Sequence, residues 1–230
     1  MQDSYLKEFE AIVESVKDDK YVILDKSAFY PQGGGQPYDT GVFIRNGEEF
    51  PVVYVGKFSG RISHEVGKAG LKQGDKIIGK IDFSRRYKLM RMHTAAHVLS
   101  AFFHKKAGAM ITGNQLDLDK SRIDFSLENF DREKIQEYCD MSNQVIEKDL
   151  PVKIYTLPRE EAMKIPDVVK LAAALPPQVK NLRIVEIEGV DKQADGGCHV
   201  KSLKEIGKIE IIKAENKGKN NRRVYYIVKD

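Results

Sequence analysis

Cysteine is scarce in this 230-residue sequence: Cys139 and Cys198 are the only two. So small a supply argues against a disulfide scaffold and points to a reducing, cytosolic setting. No apolar run is long enough to cross a bilayer, and the opening Met1-Gln2-Asp3-Ser4 has no secretory character. A cytoplasmic protein with no membrane association is therefore expected, and nothing in the sequence points to an obligate protein partner. Neither sign of charge dominates, the formal net charge being +4. A hydrophobic share of 41% with 31% charged residues argues against a disordered chain and suits one large domain or two smaller ones. Histidine is also rare, with five residues in all, so any grouping of them is informative.

Two of the five, His93 and His97, lie four apart in "RMHTAAHVLSAFF". On a helix that spacing puts both on one face, one turn apart. Such a pair either grips one metal ion or forms two polar groups on a mostly buried surface. His104 follows seven residues later, about 10 Å along a helix axis, too far to share an ion with His97 when zinc–nitrogen bonds are close to 2 Å. His64 sits in a strand-rich region. The remaining candidates are in "QADGGCHV", where Asp195, Cys198 and His199 crowd a glycine turn. Imidazole and thiolate both suit zinc, so the two segments together suggest a zinc site. The plainer reading is a loop that happens to contain a Cys and a His.

Up to about Phe83 the chain reads as short strands: "FEAIVESV", "KYVILD", "GVFIRNG", "PVVYVG" and "DKIIGKIDF", with turn residues between them. That pattern suggests a small barrel or sandwich. From Ser84, a plausible N-cap, to about Lys106 the apolar spacing becomes helical. A strand "RIDFSL", a helix over 129–150, a strand "PVKIYTL", a short helix opened by Pro158, a strand "NLRIVEIEGV" and two final strands complete the reading. The predicted architecture is α+β: an all-β domain over 1–83, then an α+β domain over 84–230 with helices on a mainly antiparallel sheet.

Two further segments stand out. "SAFYPQGGGQPYDTG" places Gly33, Gly34 and Gly35 in succession between Pro-flanked polar stretches, a pattern that suits close backbone approach, and its aromatic residues argue for a fixed conformation. The run "KAENKGKNNRR" concentrates Lys217, Lys219, Arg222 and Arg223 between two strands. It is either a solvated hairpin turn or a phosphate-contacting patch.

"HTAAH", "RIDF" and "DGGCHV…EIG", in that order, resemble the editing domain of alanyl-tRNA synthetases and their free-standing relatives, the AlaX proteins. "FYPQGGGQPYDTG" is similar to the glycine-rich motif of the medium-length AlaX form, which has an N-terminal β-barrel, and "VKIYTLPREEA" is also similar to the family. The resemblance covers nearly the whole chain, and no aminoacylation domain accompanies it, which implies an editor acting in trans. Family members commonly bind zinc through HxxxH and CxxxH. Here Asp195 stands at the position of that cysteine, and Cys198 where threonine is common. The ligands implied are His93, His97 and His199, with Asp195 as the fourth on spacing and on the acceptability of a carboxylate oxygen. Cys198 is the softer donor, but neighbours in an extended segment point to opposite sides, and water is a third option.

The resemblance implies hydrolysis of mischarged Ser-tRNA(Ala), and for this form Gly-tRNA(Ala), with Ala-tRNA(Ala) spared. Editing answers a physical limit, since a small apolar site rejects a missing methyl or an added hydroxyl by only a few kcal/mol. One zinc ion per chain would activate the attacking water or orient the aminoacyl group, and no side chain is singled out as catalytic. Thr112 and Asn114 are the expected substrate contacts. Gly33 to Gly35 would shape the pocket or the approach of the acceptor end, and Lys217, Lys219, Arg222 and Arg223 would hold tRNA phosphates. Arg122 and Asp124 fit a structural ion pair better than a pocket role. A metalloprotease is disfavoured because "HTAAH" lacks the glutamate of HExxH. A threonyl-type editing fragment would not need the glycine-rich motif, and a non-catalytic tRNA-binding module would not need the metal constellation.

Overall fold

A computed structural model describes residues 3–129, 131–166, 168–170 and 179–230. The chain separates into two compact units, Met1–Leu89 and Met90–Asp230, and every strand pairing in both is antiparallel.

The first unit is a closed six-stranded barrel built from β1 (Glu8–Lys17), β2 (Tyr21–Leu24), β3 (Gly41–Arg45), β4 (Glu48–Phe58), β5 (Arg61–Val66) and β6 (Lys76–Ile81), in the order β1-β2-β5-β4-β3-β6. It closes because β6 pairs with both β1 and β3. β5, "RISHEV", is absent from the strands read in the sequence. Two of its buried positions are Ser63 and His64, which hide the apolar alternation. The interior is filled by Phe29, Phe43, Phe50, Val13, Val22 and Val55. Gly41 is required by β3–β6 pairing, since a Cβ there would lie 2.1 Å from the Lys80 carbonyl oxygen.

The glycine-rich segment has one fixed shape. Gly33 and Gln36 exchange backbone hydrogen bonds across Gly34 (φ +59°) and Gly35 (φ +84°), a turn with two left-handed central residues that favours glycine. The Tyr30 hydroxyl donates to the Gly33 carbonyl at 3.0 Å. Asp39, fully buried, accepts from the Tyr30 amide and from the guanidinium of Arg86, also fully buried. Arg86 donates further to the carbonyls of Ala28 and Leu6. This buried pair ties the loop to the first turns of α1 (Phe83–Ala107). The helix is capped by Asp82, whose Oδ1 accepts from the Arg85 amide at 3.1 Å, and not by Ser84.

Among the described residues, the second unit has two sheets. One has the order β7 (Ile111–Gln115), β8 (Ser121–Phe125), β13 (Arg222–Lys229), β12 (Lys208–Asn216), and the other β9 (Val152–Pro158), β10 (Asn181–Ile187), β11 (Asp191–Ala194). From Leu89 to Phe103 nearly every α1 residue is buried, so this stretch is a core helix and not an amphipathic surface one. It meets the four-stranded sheet through Phe103 stacked on Phe125, with centroids 4.1 Å apart, and through the Tyr226 hydroxyl donating to the Met92 carbonyl. α2 (Arg132–Ile146) starts at Asp131, whose carboxylate accepts from the amides of Glu133 and Lys134. It is shorter at both ends than the 129–150 expected, and Phe130 lies outside the described residues. Asn143 donates to and accepts from the backbone of Ile209, which satisfies part of the β12 edge. α3 (Arg159–Ala162) is the short helix that follows Pro158. Among the described residues, no helix is long and apolar enough to cross a membrane.

Candidate metal centre

His93 and His97 share one face of α1, and the segment after β11 brings Asp195 and His199 up against them. One potential ligand atom from each of the four lies within 4.8 Å of the others. Ring centroids are 4.3 Å apart for His93 and His199, 4.7 Å for His97 and His199, and 5.4 Å for His93 and His97. Asp195 Oδ1 lies 3.0 Å from His199 Nε2, and Oδ2 lies 3.5 Å from His93 Nε2. The three histidines are buried, and the Asp195 side chain is 22% exposed, which leaves the group open on that side. The Asp195–Gly197 turn is closed by the Gly197 amide donating to Asp195 Oδ1 at 2.6 Å. Neither glycine there adopts a left-handed conformation.

Hydrogen bonding fixes the ring tautomers. The Thr94 hydroxyl donates its one proton to the Met90 carbonyl and accepts from the Val200 amide. Its 3.2 Å contact with His199 Nδ1 therefore has the imidazole as donor. The proton sits on Nδ1, and the Nε2 lone pair faces the Asp195 carboxylate. Two such lone pairs at 3.0 Å repel, and a metal ion bound there would relieve the repulsion. His97 similarly has Nδ1 turned to Asp191 Oδ2 at 2.9 Å, which leaves Nε2 as the candidate ligating atom. Burial disfavours the charged carboxylate of Asp195, but the attraction of His93 outweighs it and holds the group well below the usual range. Burial, reinforced by His93, pushes His199 well below 6.5, which keeps it in the neutral form that a metal would require. Three imidazoles and one carboxylate make a nitrogen–oxygen donor set that zinc accepts.

The other sequence candidates divide. Cys198 is buried, forms no disulfide and stands outside the four-residue group. Thr112 sits at a bulge in β7 and donates to Asn221 Oδ1; Asn114 faces Ile123 across the sheet. Arg122 pairs with Asp124, which also receives a two-pronged contact from Arg223. Arg222 does not present its charge to solvent as a phosphate contact would. It is buried, and its guanidinium donates to the carbonyls of Gly218, Lys219 and Glu128 and to Asn216, organising the β12–β13 turn from within. Lys217 pairs with Glu215, and Lys219 is exposed. Thr94, Asp191 and Lys170 were missed by the sequence reading. The signal for Asp191 was the alternation Asp191-Lys192-Gln193, which buries two polar residues on one face of β11.

Family models place both parts of the chain among domains of tRNA synthetases. Residues 4–85 match the model for class II tRNA synthetases (A), and residues 182–225 match the second additional domain of threonyl and alanyl tRNA synthetases. The "Alanyl-tRNA editing protein AlaX-M" of Methanosarcina acetivorans is 54% identical, over 99% of this chain and 97% of its own length. That of Saccharolobus solfataricus is 49% identical, over 100% and 97%. The alanine–tRNA ligase of Pyrobaculum aerophilum is 39% identical over 93% of this chain but only 25% of the ligase. The chain belongs to the AlaX-M family of alanyl-tRNA editing proteins.

Proposed function

We propose that this protein is a zinc-dependent aminoacyl-tRNA hydrolase that acts in trans on tRNA(Ala) mischarged with serine or glycine and leaves Ala-tRNA(Ala) intact. The observation that carries the reading is the four-residue group of His93, His97, Asp195 and His199, with outward Nδ1 bonds on His97 and His199. Its family membership supplies the substrate class, and its match to nearly the full length of the AlaX-M relatives supports action apart from a ligase. Zinc, when bound, would supply Lewis-acid polarisation of the ester carbonyl or of the attacking water. The chain's own residues orient the ligands, Thr94 holding the His199 ring and Asp191 that of His97. Thr112 and Asn114 are proposed as substrate contacts, the Gly33–Gly35 turn as a rigid element that shapes access, and Lys217, Lys219 and Arg223 as phosphate contacts. The test is zinc content and deacylation of Ser-, Gly- and Ala-tRNA(Ala) on one purified sample. One zinc per chain with rapid loss of Ser and Gly but not Ala is expected; equal hydrolysis of Ser- and Ala-tRNA(Ala) contradicts the proposal.

A further inference from the structure

Beyond the four-residue group lies a buried chain of charge. Asp191, at the start of β11, is 6% exposed, and all of its accepting capacity is directed inward. Oδ2 accepts from His97 Nδ1 at 2.9 Å and from Gln193 Nε2 at 2.9 Å, and Oδ1 accepts from Lys170 Nζ. Lys170 is itself only 4% exposed. Its backbone is anchored too: the Lys170 carbonyl accepts from the Ile111 amide at the start of β7, and the nearby Val168 carbonyl accepts from the Ala194 amide at the end of β11. Gln193 reaches on to Ser100 Oγ, which donates to the His97 carbonyl. A buried carboxylate and a buried ammonium are costly unless paired, and here they pair with each other while Asp191 accepts three hydrogen bonds.

We infer that Asp191 and Lys170 form a positioning relay for His97: Asp191 fixes the ring with its proton on Nδ1 and its Nε2 toward His93, Asp195 and His199, while Lys170 holds Asp191 charged and in place. The inference rests on the proposed metal reading of the site. Neither residue touches the ion or the substrate; both act through His97. A carboxylate behind a ligating histidine raises the ring's basicity and prevents it from turning, and removal of such a group costs about 10- to 100-fold in metal affinity. The competing role is a core ion pair that only stabilises the fold.

The two roles separate in a pair of variants. Asp191→Asn alone leaves Lys170 buried without its partner, so its folding is expected to suffer. Asp191→Asn combined with Lys170→Met removes both charges at similar volume and is expected to recover thermal stability. Zinc affinity, measured by chelator competition with zinc alone as ligand, is expected to fall about 10- to 100-fold in both. Nitrogen NMR of the metal-free wild type at mildly alkaline pH should show His97 carrying its proton on Nδ1, and the double variant should lose that preference. Wild-type zinc affinity in the well-folded double variant, with an unchanged His97 tautomer, overturns the relay and leaves the core ion pair. If the wild type itself binds no zinc, the metal reading falls, whereas zinc binding unaffected by the variants removes only the relay.

Discussion

His64 in the barrel and His199 in the second unit are both buried, yet their rings are partnered differently. His64 donates from Nδ1 to the Val22 carbonyl at 3.0 Å, so its Nε2 accepts from the Ser27 hydroxyl at 2.7 Å. Both nitrogens are satisfied by neutral protein groups, and Phe29 and Phe43 pack edge-on around the ring. His199 has its Nδ1 satisfied in the same way, by Thr94, but its Nε2 faces a carboxylate oxygen and two more imidazoles. A buried histidine is a core residue when its second nitrogen finds a donor. It is a candidate ligand when that nitrogen points at other electron pairs.

The contrast is broken most severely by removing a ligand. His97→Ala is expected to abolish stoichiometric zinc binding, since it deletes one of the four candidate donors. His64→Gln should leave zinc content unchanged, and metal analysis of both purified variants checks the pair. Next in size is the barrel's own buried charge. Arg86→Met strands Asp39 without its partner and should cost about 3–5 kcal/mol, read by chemical denaturation of the first unit.

A smaller effect sharpens the comparison through pH. Burial lowers the His64 pKa from 6.5 to about 4, against the weaker upward pull of its bond to Val22. Between those values the unfolded state binds the extra proton, so stability is fully present above pH 6.5 and lost as pH falls toward 4. The full loss is about 3 kcal/mol at 1.36 kcal/mol per unit. His64→Gln should flatten the slope of unfolding free energy in that window; an unchanged slope would assign the acid sensitivity to other groups.

The smallest expected effect is at the β12–β13 turn. Lys217→Gln with Lys219→Gln should raise KM for mischarged tRNA and reduce its salt dependence, with kcat nearly unchanged, because each phosphate contact adds counterion release and not chemistry. Arg222 is left intact, since its removal would collapse the turn.

Local pattern made much of this legible. Val, Ile and Phe in alternation marked five of the six barrel strands, and the i,i+4 histidines marked the face of α1 that meets Asp195 and His199. The antiparallel α+β organisation followed from the same periodicities. β5 escaped because two of its three buried positions are Ser63 and His64, and polar residues there carry no hydrophobic signal. Arg222 was misread because a basic run looks solvated when only its sequence is seen, and no pattern tells that a guanidinium has turned inward to bind carbonyls. Asp191, Lys170 and Thr94 meet the site through contacts between residues 21 to 105 apart, which no local window contains.

The donor set is the point on which the site reading turns, and X-ray absorption at the zinc edge reads it directly in the zinc-loaded protein. Three imidazoles and the Asp195 carboxylate should give nitrogen and oxygen neighbours at about 2.0–2.2 Å and no sulfur. A shell at about 2.3 Å, the zinc–thiolate distance, would put Cys198 on the metal and contradict the assignment of Asp195.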